Sequence, residues 1–257
     1  MLIYSLDSLP PSLQQLKKPP KALFYRGNLE LLDSKKIAIV GTRKPNPYSK
    51  LFTQSLSSQI SKSGGVVISG GALGIDIIAH SAAFPRTIMV APTDLEHFYP
   101  QTNKAMIEKI YTQALALSEY AKIPNPKPYH FLERNRIVIA LSDAVIIPQA
   151  DLASGSMESA RIALELNKPL YVIPHRIGES EGTNALLAKA QAYAIYDIQR
   201  WIEEWFGSLF SPLQDEILDF CALIPSFEEA YQRFGDRLLE YELEGKIERK
   251  NGRIYVL

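Results

Sequence analysis

Short apolar runs rich in β-branched residues alternate with longer segments of helical periodicity from about residue 35 onwards. Apolar runs without a polar face are typical of strands covered on both sides, and the helical segments can form the crossovers that parallel strands need. The strand-like runs lie at 36–40, 65–69, 87–90, 114–117, 144–147 and 170–173, and the helical patterns at 48–62, 75–83, 102–110 and 155–167. The alternation predicts an α/β fold with an extended Rossmann-like, doubly wound and mostly parallel sheet.

The pattern changes after residue 206. Residues 207–212 are typical of a linker, and short helical patterns follow at 214–223, 226–234 and 237–244. Ser226 and Glu229 form a capping box, and Asn251-Gly252 separates two final β runs as a hairpin turn does. The sequence therefore predicts an N-terminal extension at 1–35, a Rossmann-like domain at 36–206, a linker at 207–212 and a small winged-helix-like domain at 213–257.

The composition of the 257 residues, 46% hydrophobic and 22% charged, is that of an ordinary globular protein. Cys221 is the only cysteine, so an intramolecular disulfide is impossible and a reducing compartment is expected. The histidines are too far apart for a zinc site, and neither a signal peptide nor an apolar stretch of about 18 residues occurs. We expect a cytoplasmic protein without membrane contact, metal ion or cofactor.

The formal net charge is zero, from 28 Lys and Arg against 28 Asp and Glu. A zero total argues against a nucleic-acid-binding protein, whose usual signature is an excess of basic residues. The distribution is uneven, however: residues 1–212 hold 22 basic and 18 acidic residues, whereas residues 213–257 hold 6 and 10. The neutral total therefore conceals a basic Rossmann-like domain and an acidic C-terminal segment.

The loops that follow the predicted strands carry residues suited to anions. Ligands of open α/β sheets bind at the carboxyl ends of the strands, where helix N-termini offer free amides. The candidate residues in these loops are Gly41, Thr42, Arg43 and Lys44, then Ser69, Gly70, Gly71 and Gly74, and finally Ser154, Gly155 and Ser156. Neither a G-x-G-x-x-G fingerprint nor a P-loop is present, which disfavours a nicotinamide or ATP site. Solvated surface cations and glycines needed only for packing remain the alternatives.

A further group of cations and aromatic rings follows the proline-rich loop at 124–128. Single-stranded nucleic acid requires this combination, because cations meet phosphates and rings stack bases. The residues are Lys127, Phe131, Arg134, Asn135 and Arg136. Arg134 and Arg136 point to different sides of a helix, so one is expected to pair with an internal carboxylate such as Asp143 while the other faces a ligand. Phe131 is either a stacking residue or part of the core.

The ordered motifs resemble those of the DprA/Smf DNA-processing proteins. They include Gly41-Thr42-Arg43, the segment from Ser69 to Asp76 with His80, Tyr99-Pro100 with Asn103, Phe131 with Arg134-Asn135-Arg136, Ser154-Gly155-Ser156 and Gly182-Thr183-Asn184. The resemblance implies a non-enzymatic protein that binds single-stranded DNA, protects incoming strands in natural transformation and helps to load a RecA-type recombinase. It also implies a homodimer formed through the Rossmann-like domain. The DNA pocket would use Arg43, the 69–74 loop, Lys127, Phe131, the 134–136 segment and the 154–156 segment.

Two other interpretations remain open. The first is a nucleotide-processing enzyme of the lysine-decarboxylase-like Rossmann group, with Glu158 as acid or base. That group's Pro-Gly-Gly-x-Gly-Thr-x-x-Glu run is absent, and only a partial echo occurs at 154–158. The second makes the C-terminal segment the DNA reader. Its third predicted helix and the turn after it, at 236–246, carry four acidic against two basic residues, which disfavours contact with phosphates.

Overall fold

A computed structural model describes residues 2–207 and 216–256. The chain forms two compact units, residues 1–207 and residues 208–257. Most of the linker predicted at 207–212, and the predicted start of the next helix at 214, lie outside the described residues.

The first unit is built on a nine-stranded sheet. Its strands are β1 (Tyr4–Ser5), β2 (Phe24–Gly27), β3 (Lys36–Ile39), β4 (Val66–Ser69), β5 (Thr87–Val90), β6 (Leu115–Ser118), β7 (Ala144–Ile147), β8 (Leu170–Val172) and β9 (Tyr193–Ala194). The spatial order is β1-β2-β6-β5-β4-β3-β7-β8-β9. All neighbours from β6 across to β9 are parallel, whereas β1 pairs antiparallel with β2, and β2 antiparallel with β6. The predicted Rossmann-like, mostly parallel sheet is confirmed.

Seven α-helices connect or flank these strands in the first unit. They are α1 (Pro47–Lys62), α2 (Ile75–Ala83), α3 (Lys104–Gln113), α4 (Pro128–Leu141), α5 (Gly155–Glu165), α6 (Glu181–Ala188) and α7 (Ile198–Phe206). The Asn46 side chain caps α1 by accepting from the Ser49 amide at 2.8 Å, and Gly64 follows its end with a φ of 79°, in the left-handed region. Helix α4 begins at Pro128, since proline fits the first turn of a helix.

The core lies in two layers, one on each face of the sheet. Alternate residues of a strand point to opposite faces, so Ile37 and Ile39 pack with α1, α2 and α7, whereas Ala38 packs with α3, α4 and α5. Near-complete burial of both faces explains why the central strands are mostly apolar.

The N-terminal segment contributes to the same sheet. Strand β2 pairs antiparallel with β6, with Phe24 opposite Ser118 and Gly27 opposite Leu115. Leu13 and Leu23 are completely buried in the layer that contains α3, α4 and α5. Residues 1–35 therefore extend the sheet and its core, a role that the sequence pattern did not predict.

The chain order reverses between β3 and β7. Strands β3 to β6 run in sequence to one side, and β7 to β9 run to the other. The loops that leave β3 and β7 therefore diverge, which opens a crevice at the carboxyl edge of the sheet. Ligands of doubly wound folds bind at such a point.

The second unit has the predicted order of three helices and a hairpin. Its elements are α8 (Glu216–Cys221), α9 (Phe227–Phe234), α10 (Asp236–Leu243), β10 (Ile247–Lys250) and β11 (Arg253–Val256). The Ser226 hydroxyl accepts from the Glu229 amide at 3.3 Å, and the Glu229 carboxylate accepts from the Ser226 amide at 3.0 Å. Asn251 and Gly252 both have positive φ, as the hairpin turn requires. The predicted capping box and turn are confirmed.

Candidate nucleic-acid interface

A cleft of about 380 Å³ lies at the carboxyl edge of the sheet, beside the point where the strand order reverses. Four segments form its walls: the loop after β3, the glycine-rich loop that leads into α2, and the first turns of α4 and α5. The lining residues are Val40, Gly41, Thr42, Arg43, Ala72, Asp76, Pro128, Phe131, Leu132, Arg134, Asn135, Ser154, Gly155 and Ser156.

Two helix N-termini open onto this cleft. Helices α4 and α5 span 14 and 11 residues, and their first turns both contribute to the wall. The positive end of each helix dipole and its free amides favour an anion. Among the described residues the buried Ser154 hydroxyl oxygen has no hydrogen-bond partner, so it is available to a ligand. Asn135 Nδ2 donates to Ser159 Oγ at 3.1 Å and fixes the two helices to each other.

An arginine and two aromatic rings lie side by side at the edge of the cleft. The guanidinium carbon of Arg43 is 5.4 Å from the centroid of the Phe131 ring, a cation–π distance. The Tyr99 ring centroid is 5.5 Å from that of Phe131, with the ring planes at 58°. Arg43 is exposed, so its charge is directed to solvent and to any ligand that enters.

Arg134 supports the glycine-rich loop from within. Its side chain is 2% exposed, and Nη1 donates to the carbonyls of Val90, at 2.6 Å, and of Gly70. Burial lowers the pKa of Arg134 to about 10, although the nearby Asp76 opposes that shift. Because its donors are used on main-chain carbonyls, this arginine holds the loop in shape and offers little charge at the surface.

Asp76 is buried beneath the same loop. Desolvation raises the pKa of its carboxyl group, while the Arg134 charge and the loop amides lower it. The Ala72 amide donates to Asp76 Oδ2 at 3.4 Å. Asp76, a residue of α2, therefore accepts a hydrogen bond from the loop that precedes its own helix. The charges of the buried Asp76 and Arg134 offset each other. Arg43 is therefore the cleft-lining cation that faces solvent.

Arg136 points away from the cleft. Its Nη2 atom lies 2.5 Å from Glu119 Oε2 in a largely buried ion pair. One arginine of this segment was expected to pair with an internal carboxylate such as Asp143. Arg136 does pair with an internal carboxylate, but its partner is Glu119; Asp143 lies beyond the end of α4, two helical turns from Arg136. The Asp143 carboxylate instead accepts from the Lys36 amide at 2.6 Å.

The structure brings only part of the predicted set together. Nine of the predicted residues line the cleft: Gly41, Thr42, Arg43, Phe131, Arg134, Asn135, Ser154, Gly155 and Ser156. Lys44 and Lys127 are exposed and outside its wall. Ser69 is buried and donates to the Ile39 carbonyl at 2.6 Å, and Gly70 packs against Arg134. Gly71 and Gly74 shape the loop with positive φ values of 74° and 80°.

Several lining residues were not predicted. Val40, Ala72, Pro128 and Leu132 contribute apolar wall and carry no chemical signal in the sequence. Asp76 also lines the wall, and its place there follows from burial that one sequence does not reveal. Tyr99 contacts the lining residue Phe131 from outside the wall, and it belongs to a motif that resembles the DprA/Smf proteins, so a signal for it was present.

Glu158, the acid or base of the enzymatic alternative, does not line the cleft. Arg161 Nε donates to its carboxylate at 2.9 Å, and this hydrogen bond lowers the pKa of Glu158. The geometry gives the enzymatic interpretation no support.

Residues 1–206 match the family model described as DNA recombination-mediator protein A. The chain belongs to this family. The DNA processing protein DprA of Bacillus subtilis is 34% identical over 197 residues, 75% of this chain and 66% of that protein. That of Streptococcus pneumoniae is 38% identical over 188 residues, 70% of this chain and 66% of that protein. The matched part thus spans about two thirds of the length of these relatives.

Solved structures of the DprA family have the same fold as the first unit. DNA processing protein A of Helicobacter pylori, described for a unique single-stranded DNA binding mode, is 51% identical, with a TM-score of 0.78 over 79% of this chain and 95% of that one. DprA of Streptococcus pneumoniae is 34% identical, with a TM-score of 0.73 over 79% and 74%. The resemblance to the DprA/Smf proteins is confirmed.

Two features are absent from residues 2–207 and 216–256. No helix in these ranges combines the length and apolar character that a bilayer span needs. Nor do His, Cys, Asp and Glu side chains cluster there as a metal site requires.

Proposed function

We propose that the protein binds single-stranded DNA in the cleft between the loop after β3 and the first turns of α4 and α5. The observation that carries the proposal is the position of Arg43 over the Phe131 ring, at an edge that two helix N-termini also face. A cation beside an aromatic ring suits a strand whose phosphates and bases are both accessible. The relative from Helicobacter pylori, described as a single-stranded DNA binder, supports this assignment.

Each part of the cleft contacts DNA through its own chemistry. Arg43 meets a phosphate by a charge-assisted hydrogen bond, and the first turn of α5 supplies amides and the unpartnered Ser154 hydroxyl to the same backbone. Gly41, Thr42, Asn135, Gly155 and Ser156 complete the contact surface. The exposed Lys44 and Lys127 add positive charge at its border. Arg134 and the glycines at 70, 71 and 74 set the shape of the loop.

We also propose that this protein acts on DNA without catalysing a reaction. Its family membership supports a role in protecting incoming strands during natural transformation and in loading a RecA-type recombinase onto them. On the same grounds we propose a cytoplasmic homodimer. A nuclease-protection assay and a strand-exchange assay with a RecA-type recombinase test the two DNA roles, and light scattering tests the dimer.

Fluorescence anisotropy tests the binding proposal directly. A labelled oligothymidylate is titrated with the protein at two salt concentrations, beside a duplex of equal length. We expect micromolar or tighter binding of the single strand, a weaker response to the duplex and a marked loss of affinity at the higher salt. Failure to bind at low salt, or equal preference for the duplex, contradicts the proposal.

Arg43→Ala tests the site. Loss of one charge-assisted phosphate contact is expected to weaken binding by about 1–3 kcal/mol for all sequences and to reduce the salt slope by about 0.7. Arg200→Ala removes an equal charge from an exposed arginine on α7 and is the matched control. Unchanged affinity in a folded Arg43→Ala variant removes Arg43 from the site.

A further inference from the structure

Tyr99 presents an exposed ring at the border of the cleft. It lies in the loop between β5 and α3, and 38% of its surface is accessible. Its ring centroid is 5.5 Å from that of Phe131, which lines the cleft wall. The side chain is therefore partly packed against the site while the rest of it faces solvent.

The loop around Tyr99 is anchored on both sides. Phe98 stacks on Tyr111 with ring centroids 5.3 Å apart, and the Tyr111 hydroxyl donates to the His97 carbonyl at 3.1 Å. On the other side, Asn103 Nδ2 donates to the Gly71 carbonyl at 3.1 Å, which ties this loop to the glycine-rich loop. The exposure of Tyr99 is thus a fixed feature of the surface.

Phe131 has less free surface than its position in the cleft suggests. Arg43 lies over its ring at 5.4 Å, and Tyr99 packs against it at 5.5 Å. A base that stacked on Phe131 would compete with these two neighbours for its ring. Tyr99, by contrast, keeps part of its ring free without any rearrangement.

We infer that Tyr99 supplies the base-stacking surface of the single-stranded DNA site, with Phe131 as the support that positions both Tyr99 and Arg43. The inference rests on the proposed function. Both neighbours contact the same ring, so a base on Tyr99 and a phosphate at Arg43 belong to one nucleotide or to adjacent ones. Every base has a π-face, so this contact adds affinity without sequence preference.

The experiment separates the base contact from the phosphate contact. Wild type, Tyr99→Leu and Arg43→Ala are titrated against an oligothymidylate and against an oligomer of equal length with abasic sites in place of the bases. Tyr99→Leu is expected to weaken binding of the oligothymidylate about tenfold and to leave binding of the abasic oligomer unchanged within about twofold. Arg43→Ala is expected to weaken binding of both oligomers.

Two control variants are available. Tyr99→Phe keeps the ring and is expected to bind like wild type, because stacking needs no hydroxyl group. Tyr4→Leu is the matched remote change: Tyr4 is 51% exposed and its ring lies 5.4 Å from that of Tyr25. It is expected to leave both affinities unchanged, and thermal unfolding of each variant identifies any loss of fold.

A second measurement needs no substitution. An oligomer that contains 5-iododeoxyuridine is bound to wild type and irradiated, and the crosslinked peptide is identified by mass spectrometry. We expect the crosslink at Tyr99; crosslinks confined to other residues overturn the inference. A folded Tyr99→Leu variant also overturns the inference if it binds oligothymidylate like wild type, or if its affinity falls equally for both oligomers. If wild type fails to bind oligothymidylate at all, the proposed function itself is wrong and the inference falls with it.

Discussion

The guanidinium of Arg134 fills the space where a side chain at position 70 would begin. A Cβ atom added to Gly70 would overlap that guanidinium, whose Nη1 donates to the Gly70 carbonyl. The glycine is therefore required by a buried arginine of α4. The sequence made Gly70 a candidate contact for an anion and left packing as the alternative, and its contact with Arg134 is one of packing.

Gly70→Ala is expected to reduce the free energy of unfolding by about 1–3 kcal/mol, because the added methyl group forces apart a packed arginine and its loop. The displaced loop is also expected to weaken binding of oligothymidylate. Urea unfolding and anisotropy measure the two effects. A stability equal to that of wild type contradicts the assignment of Arg134 to this space.

Gly155→Ala is the control for stability. Gly155 is the first residue of α5, and the nearest neighbour of an added Cβ atom would be a Leu132 methyl carbon at an ordinary 3.5 Å. We expect the free energy of unfolding to change by no more than about 0.5 kcal/mol, as for substitutions that create no overlap.

The strands from β3 to β8 could be predicted because each is an apolar run bounded by turn residues, and burial on both faces imposes that pattern. Strand β2 could not. It is four residues long and pairs with Leu115–Ser118, a distant segment that nothing in the local pattern identifies. Long-range pairing of this kind leaves no periodic signal.

The cleft could be predicted only in part, because some of its residues are placed by contacts between distant segments. Arg43 and Ser154 follow strands, so the rule for open sheets located them. Arg134 was expected at the surface or in an ion pair, because charged residues are seldom buried. Its actual partners, the carbonyls of Gly70 and Val90, lie in the loop after β4 and at the end of β5, which meet it only in the folded protein.

His80 is expected to make stability depend on pH. Burial and the Arg134 charge lower the pKa of His80 to about 3. The unfolded chain therefore binds this proton more tightly than the folded protein, so stability is lost as the pH falls from about 6.5 towards 3, by about 1 kcal/mol per pH unit.

His80→Asn tests this dependence. Thr87 donates its hydroxyl hydrogen to the Val67 carbonyl at 2.9 Å, so His80 Nδ1, 2.7 Å from Thr87 Oγ1, is the donor of that pair. An asparagine amide can replace this donor without titrating. Urea unfolding at pH 7 and pH 4.5 is expected to show that the variant loses less stability than wild type between the two pH values. Equal losses in the two proteins count against the buried, neutral histidine.

Arg136 is expected to matter for stability more than for DNA affinity. Arg136→Ala leaves Glu119 largely buried without its partner, which costs about 3 kcal/mol. Desolvation already raises the pKa of Glu119, so the folded protein binds this proton more tightly than the unfolded chain does. The variant is therefore expected to lose stability as the pH rises above about 4.5.

The double variant Arg136→Met with Glu119→Leu is the control, because it removes both charges and is expected to recover most of the stability. Urea unfolding across pH 4–8 measures these changes. Anisotropy at a temperature where all variants are folded measures DNA affinity. A loss of affinity as large as that of Arg43→Ala, without a loss of stability, would place Arg136 in the DNA site.

The acidic C-terminal unit is expected to be dispensable for single-stranded DNA. Residues 213–257 carry 10 acidic against 6 basic residues, so their removal takes away net repulsion for phosphates. The first unit has its own sheet and core, and its cleft is formed entirely by residues 40–156. A chain that ends at Phe210 should therefore bind oligothymidylate within about threefold of the full chain, with any gain in affinity largest at low salt, where repulsion is least screened.

Arg43→Ala in the shortened chain is the control, since it should weaken binding as much as in the full chain. Loss of nearly all affinity on truncation, with the melting transition of the first unit intact, would instead assign DNA contact to the C-terminal unit.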